Sequence, residues 1–266
     1  MEEELPMAYD MRIGAQLYTV RDYTKTLDDF AETLKKVADI GYTTVQVSGT
    51  CAFEPEWLRD ELKKNGLECH LTHSPMDKMI ENPDKVVADH KVFGCKYIGI
   101  GSMPGNLKEN GHPVFEKFVA DGKPVAKRFA ELGAYMMFHN HNAEYLMEHD
   151  GKNYMQLLSE AFAPEEMGFT LDTYWVKAGG YDPVEEIKRL SGRLPCIHYK
   201  DMEMLEDGTS RFSWVGGGIL DFEKISDAAQ AAGTKYIFIE QDNCFGEDPF
   251  ECLKKSYQYL TSIGLK

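Results

Sequence analysis

The sequence predicts a single-domain α/β protein built as a closed (β/α)8 TIM barrel. Three observations lead there. Short β-rich runs alternate with amphipathic runs along the chain, which implies parallel pairing through right-handed crossovers. Eight such strand–helix units can be read between residues 12 and 266. The length of 266 residues suits one barrel of about 250 residues. An open doubly wound sheet is the alternative. It ordinarily carries a Gly-rich phosphate turn after its first strand, and Tyr18-Thr19-Val20-Arg21 is not one.

The elements follow in order. Residues 12–18 form the first strand. The helix after it carries Phe30, Leu34, Val37 and Ile40 at helical spacing and ends at Gly41. Residues 43–47 are the second strand, and a helix over 54–65 closes at Gly66. Strand three covers 67–73, and the helix over 82–93 closes at Gly94. Strand four covers 96–101. A long helical stretch over 113–132 follows, with a break expected near Gly122 or Pro124. Strand five covers 134–140, the next helix 152–161, and strand six 168–172. Asp182 and Pro183 open a helix as N-cap and first-turn residue. Strand seven covers 194–200 and strand eight 235–241, followed by helices over 221–232 and 248–263 respectively before and after the last strand. Residues 1–11 read as an acidic N-terminal extension and 12–266 as the barrel.

Composition narrows the function. Twenty-nine Lys and Arg stand against 44 Asp and Glu, a formal charge of −15. That charge repels phosphate backbones and anionic lipids, so neither nucleic acid nor a membrane is expected as partner. No apolar window is long enough for a membrane span, and Met1-Glu2-Glu3-Glu4 is the opposite of a basic signal-peptide start. A cytoplasmic location is expected. The six cysteines are scattered without a C-x-x-C pair and read as free thiols. Cys244 lies nearest the candidate site.

Chemistry in such a barrel collects at the C-terminal strand ends. Those ends carry Gln16 and Tyr18, Gln46, His70 to His73, His139-Asn140-His141 with Glu144, Asp172, His198 with Lys200, and Glu240. Taken singly, a strand-end His is more often structural, and Asp172 before Thr173 also suits a helix N-cap. Glu240 is harder to explain away. It follows Tyr236-Ile237-Phe238-Ile239, and a charge at the edge of an apolar core is costly unless paired or metal-bound. Carboxylates and imidazoles in one cup suit a single divalent cation with open coordination positions.

The ordered set of motifs identifies a resemblance. It comprises Ile13-Gly14-Ala15-Gln16-Leu17-Tyr18, Phe138-His139-Asn140-His141 with Glu144-Tyr145, and Leu171-Asp172-Thr173 with Trp175 and Gly179-Gly180. His198-Tyr199-Lys200-Asp201, Val215-Gly216 with Asp221-Phe222, and Ile239-Glu240-Gln241-Asp242 complete it. Together they resemble the xylose-isomerase-like TIM-barrel superfamily, in its sugar phosphate isomerase/epimerase branch. The resemblance implies one divalent ion, Mn²⁺ foremost with Mg²⁺, Co²⁺ or Zn²⁺ as alternatives. It implies Asp172, His198 and Glu240 as ligands. The first ligand is assigned to Glu144, which supplies a third carboxylate, with His139 or His141 as the alternative. Gln46 departs from the Glu that epimerase relatives often carry.

The reaction implied is proton abstraction next to a carbonyl of a small sugar or sugar phosphate, leading to epimerisation or an aldose–ketose shift. Glu144 and Glu240 would be the acid–base pair, with His139 and His141 able to take over a proton transfer. Relatives with His-Asn-His in this strand resemble those that eliminate from keto-inositols or 3-keto-glycosides, so a metal-dependent dehydratase or lyase is the alternative. Gln16, Tyr18, Gln46, His73, Trp175 and Lys200 are the candidate substrate-binding residues, with Asp201 orienting Lys200 and Trp214 a further stacking candidate. Two other readings fit the sequence less well. A DNA-tracking endonuclease of the same superfamily conflicts with the charge and with only eight histidines. A non-catalytic sugar-binding subunit conflicts with the intact Asp172, His198 and Glu240. Family habit allows a homo-oligomer.

Overall fold

The structure is a computed structural model that describes residues 9–266. The expected acidic start, residues 1–8, lies outside the described residues. The rest of that segment packs on the barrel: Tyr9 and Met11 are buried, and the Tyr9 hydroxyl donates to Asp227 at 2.8 Å.

The chain runs β1 (Arg12–Gln16), a 3-10 segment (Leu17–Tyr23) kinked at Val20, α1 (Leu27–Ile40), β2 (Thr44–Val47), α2 (Pro55–Lys64), β3 (Glu68–His73), α3 (Met76–Glu81) and α4 (Pro83–Val92). It continues through β4 (Tyr97–Ile100), α5 (Leu107–Asn110), α6 (His112–Glu131), β5 (Tyr135–His139) and α7 (Ala143–Leu146). A small hairpin of β6 (Glu148–His149) and β7 (Lys152–Asn153) leads to α8 (Tyr154–Ala161). Then come β8 (Met167–Asp172), α9 (Thr173–Ala178), α10 (Pro183–Arg189) and β9 (Cys196–Tyr199). A second hairpin, β10 (Asp201–Met204) with β11 (Ser210–Ser213), precedes α11 (Phe222–Ala231), β12 (Tyr236–Ile239) and α12 (Pro249–Ser262).

Eight strands, β1-β2-β3-β4-β5-β8-β9-β12 in spatial order, close into one barrel, and every pairing among them is parallel. The closed ring excludes the open-sheet alternative. The two hairpins lie outside the barrel, as separate sheets.

Several helices start where local chemistry dictates. Thr26 accepts from the Asp29 N–H and caps α1. Asn153 and Gln156 form a reciprocal capping box on α8. The break expected at Gly122 or Pro124 does not occur, and α6 runs through both. Its buried face, with Phe118, Val125 and Phe129, holds it on the barrel. That packing outweighs the hydrogen bond Pro124 cannot donate.

The barrel interior explains where the polar residues stand. One small cluster inside it contains Leu71, Met137, Cys196 and Phe238, all fully buried. Gly14 belongs to the same level, because a Cβ there would come 2.7 Å from the Phe238 ring. Only a glycine leaves room for that ring. Side chains on a strand return to the same face every second residue. Stepping two residues toward the C-terminal end from each plug residue reaches His73, His139, His198 and Glu240. The same step from Gly14 reaches Gln16. The apolar plug therefore forms the floor of the site, and strand periodicity alone brings residues distant in sequence onto one level above it.

Candidate active site

Among the described residues, one group of His, Cys, Asp or Glu offers ligand atoms that all lie within 4.8 Å of one another: His139, Asp172, His198 and Glu240. All four are buried. His139 Nε2 lies 3.2 Å from Asp172 Oδ2, and its Nδ1 lies 3.0 Å from the Gly101 carbonyl oxygen. That carbonyl takes the Nδ1–H, which leaves Nε2 free to face the carboxylates. His198 Nδ1 stands 2.9 Å from Glu240 Oε2, while His198 Nε2 donates to Gln46 Oε1 at 2.5 Å.

Asp172 does two jobs. Its Oδ1 accepts from the Trp175 N–H at 3.0 Å and caps α9. Its Oδ2 turns inward to His139 and Lys200. The Asn140 side-chain oxygen accepts the Asp172 N–H at 2.9 Å and fixes the backbone at that point. One carboxylate thus caps α9 with one oxygen and faces the four-residue group with the other.

Lys200 is the cation of the cluster. It is 1% exposed, and its Nζ lies 3.0 Å from Asp172 Oδ2, 2.9 Å from Glu240 Oε2 and 3.1 Å from Asp242 Oδ2. Burial opposes its charge, but the three carboxylates outweigh burial and raise its pKa above the ordinary lysine value. In return Lys200 and the imidazoles hold Asp172 below the usual carboxylate range, and Glu240 well below it, against the pull of burial. Asp242 is less compensated. Burial and the neighbouring Glu240 push it up to about 6. Burial, with His139 and Lys200 nearby, depresses His141 to about 3, so its ring is neutral. Burial likewise drives His73 well down.

A cavity of about 630 Å³ opens above this level. Of the residues singled out in the sequence, Tyr18, His73, His139, His141, Lys200 and Glu240 line it. Arg21, Ser48 and Asp242 also line it and were not anticipated. A signal for two of them was present. Ser48 and Asp242 each follow an inward-facing residue, Gln46 and Glu240, by two positions, as His141 follows His139 and Lys200 follows His198.

Other expected residues are placed differently. Glu144 is not in the four-residue group; its Oε2 accepts the His141 N–H at 2.8 Å, so it braces the loop after β5. His139 takes the position beside Asp172 instead. Gln46 does not line the cavity, because its oxygen is committed to His198. Gln16 accepts the Tyr18 N–H at 3.0 Å and caps the 3-10 segment. Trp175 lies behind His141, with ring centres 5.2 Å apart, and Trp214 sits near Lys255. Asp201 does not orient Lys200. It accepts backbone N–H groups from Met202, Gly216, Gly218 and Leu220 and ties down that loop. His70 sits with Arg12 and Glu68 and stacks on Tyr236, the first residue of β12, at the far rim. His70 and His73 lie on opposite sides of the Leu71 layer, and the register of β3 shifts at this point, between its pairings with Val45 and Gln46.

The donor set fits a divalent ion. Two imidazoles and two carboxylates suit borderline cations such as Mn²⁺, Co²⁺ or Zn²⁺. His198 Nδ1 is buried without a hydrogen-bond partner although it lies 2.9 Å from Glu240 Oε2. The two atoms approach each other without the alignment of a hydrogen bond, as ligands of a common ion do. Cys244 takes no part. Its thiol lies against Cys252, which, with burial, raises its pKa. Among the described residues no helix is long and apolar enough to cross a membrane.

Comparison with known proteins agrees with this architecture. Residues 34–262 match the family described as xylose isomerase-like TIM barrel. An inosose dehydratase of Geobacillus kaustophilus is 23% identical across 73% of this chain and 73% of its own. An inosose dehydratase of Lacticaseibacillus casei is 22% identical across 87% of this chain and 88% of its own. Among solved structures, a sugar phosphate isomerase/epimerase from Parabacteroides distasonis superposes with a TM-score of 0.77 at 22% identity, covering 94% of this chain and 98% of that one. An L-ribulose 3-epimerase gives 0.73 at 15% identity, covering 96% and 94%. With the family match spanning most of the chain and the fold in agreement, this chain belongs to the xylose isomerase-like TIM barrel family.

Proposed function

We propose that the protein is a metal-dependent lyase that eliminates a group β to the carbonyl of an unphosphorylated keto-sugar or keto-inositol. The observation that carries this reading is the make-up of the four-residue group. The group pairs Glu240 with His139 and contains no second glutamate, and Glu144 is turned to the loop. Epimerisation returns a proton to the same carbon from its opposite face, the part a second carboxylate would play. Elimination instead sends the proton to the departing oxygen. The inosose dehydratases among the relatives support the same choice.

His139, Asp172, His198 and Glu240 would hold the ion, with Mn²⁺ the first candidate. Such an ion supplies Lewis-acid polarisation of the carbonyl, which acidifies the adjacent C–H. The chain's own groups do the rest. His141 lines the cavity two residues beyond His139 and is assigned the abstraction of that proton. The electron pair released forms the new C=C bond as the β C–O bond breaks. The Lys200–Asp242 pair, 3.1 Å apart, delivers a proton to the departing oxygen. His73 and Tyr18 bind hydroxyls.

Charge argues against a phosphate on the reacting sugar. Arg21 and Lys200 are the cations lining the cavity. Arg21 already donates to the carbonyl oxygens of Tyr18 and Asp242, and Lys200 is held by three carboxylates.

The test incubates the Mn²⁺-loaded protein in D₂O with keto-inositols and 3-keto-glycosides. The expected result is an unsaturated ketone, seen as new ultraviolet absorbance. Deuterium incorporation with inversion and no unsaturated product would establish the epimerase reading instead.

A further inference from the structure

A second cavity, of about 830 Å³, lies beside the first. It opens beneath the loop between β2 and α2 and is backed by α4. The two cavities share Ser48, Gly49, His73, Ser74 and Pro75. The function proposed above does not use it.

Its lining is mostly uncharged. Val47, Cys51, Phe53, Val86 and Phe93 form an apolar wall, with the Phe53 and Phe93 rings edge to face at 6.3 Å. Phe53 is only half-buried, so its ring is available for contact. The charges at its rim are Lys78 and Lys85 against Glu54, Glu81 and Asp89, and Lys85 binds Asp89 at 2.7 Å. The small negative excess disfavours an anionic ligand, and the rest of the wall offers an ion no charged partner.

The shared wall is built for close approach. Gly49 has φ +70°, and a Cβ there would meet the Tyr18 ring at 2.7 Å. Ser48 Oγ and His73 Nδ1 lie 3.2 Å apart along it. His73 Nε2 is buried and without a partner. One side chain thus borders both spaces with a free polar atom. A molecule bound above the four-residue group can bond to His73 and extend past it.

We infer that the second cavity is a subsite for an uncharged, apolar or aromatic aglycone, so that the substrate is a keto-glycoside rather than a free keto-inositol. This rests on the elimination reading for its chemistry. The aglycone is the leaving group: the β C–O bond to it breaks, its oxygen takes the proton, and the sugar keeps the new double bond. Flat apolar rings gain from burial and from edge-to-face contact with Phe53 and Phe93.

The experiment uses binding, which is separable from turnover. Phenyl β-D-glucopyranoside and methyl β-D-glucopyranoside are titrated calorimetrically into the Mn²⁺-loaded protein. The phenyl glycoside should bind at least tenfold more tightly. Val86→Trp, which fills the second cavity, should bring the phenyl glycoside down to the methyl glycoside's affinity, and Phe53→Ala should narrow the gap. Equal affinity in the wild type, including none detected for either, overturns the subsite. So does a phenyl preference that survives both substitutions. A phenyl preference without elimination of any keto-sugar keeps the subsite and refutes the reaction. Elimination without a phenyl preference does the reverse.

Discussion

Gln46 Oε1 accepts a hydrogen bond from His198 Nε2 at 2.5 Å, across the barrel from β2 to β9. The bond fixes the tautomer of a fully buried imidazole and leaves Nδ1 facing Glu240. Partners of this kind tune ligand orientation, and their loss costs about 10–100-fold in metal affinity. Gln46→Leu should weaken Mn²⁺ binding by that order while the circular-dichroism spectrum is unchanged. Gln46→Glu, which keeps an acceptor, should bind within a few-fold of wild type. Undiminished affinity in Gln46→Leu would show that the contact orients nothing.

The choice between His139 and Glu144 as first ligand is a matter of metal content. His139→Ala should leave the purified protein with little bound metal by elemental analysis after Mn²⁺ supplementation. Glu144→Gln keeps an oxygen that can accept the His141 N–H and should retain near-stoichiometric metal. The opposite pattern would return Glu144 to the ligand set.

The strand ends were legible because two periodicities reinforce each other. Alternation along a strand put His73, His139, His198 and Glu240 on the face of an apolar plug, and the parallel order put all four at one rim. Tertiary partners were not legible. Nothing in Asp201 or Gln46 says that one will collect four backbone N–H groups or that the other will meet a histidine from the opposite wall. Glu144 reads as a ligand because a third carboxylate suits a cation; its contact in the structure, the His141 N–H, is a local turn bond that no periodicity announces. The short helices and the β10–β11 hairpin escaped because a few residues of either kind carry too little periodic signal.

Lys200 and a divalent ion would share the same carboxylate oxygens, Asp172 Oδ2 and Glu240 Oε2. Removing the ammonium leaves buried charge uncompensated, and breaking such a pair costs about 3–5 kcal/mol. Lys200→Met should therefore lower the melting temperature of the metal-free protein. Added Mn²⁺ should raise that temperature by more in the variant than in wild type, since binding stabilises in proportion to the compensation it restores. Elimination should be lost even when metal is bound. Equal metal-induced shifts in both proteins would show that Lys200 and the ion act independently.

His90 links stability to pH away from the four-residue group. It is 8% exposed, its Nδ1–H donates to the Val86 carbonyl at 2.7 Å, and its Nε2 lies 2.8 Å from Thr72 Oγ1. Burial lowers its pKa, with the Val86 carbonyl and Asp89 partly opposing. The folded value thus lies below the unfolded one of about 6.5. The unfolded chain then binds more protons as pH falls, so the stability held by neutral His90 is complete above about 6.5 and lost below it. The loss is bounded by one proton, about 1.4 kcal/mol per pH unit. Urea unfolding of wild type and His90→Gln at pH 7.5 and 5.0 should show wild type losing more stability over that interval. Parallel losses in the two proteins would mean that His90 titrates alike folded and unfolded, and that its buried ring has no part in acid sensitivity.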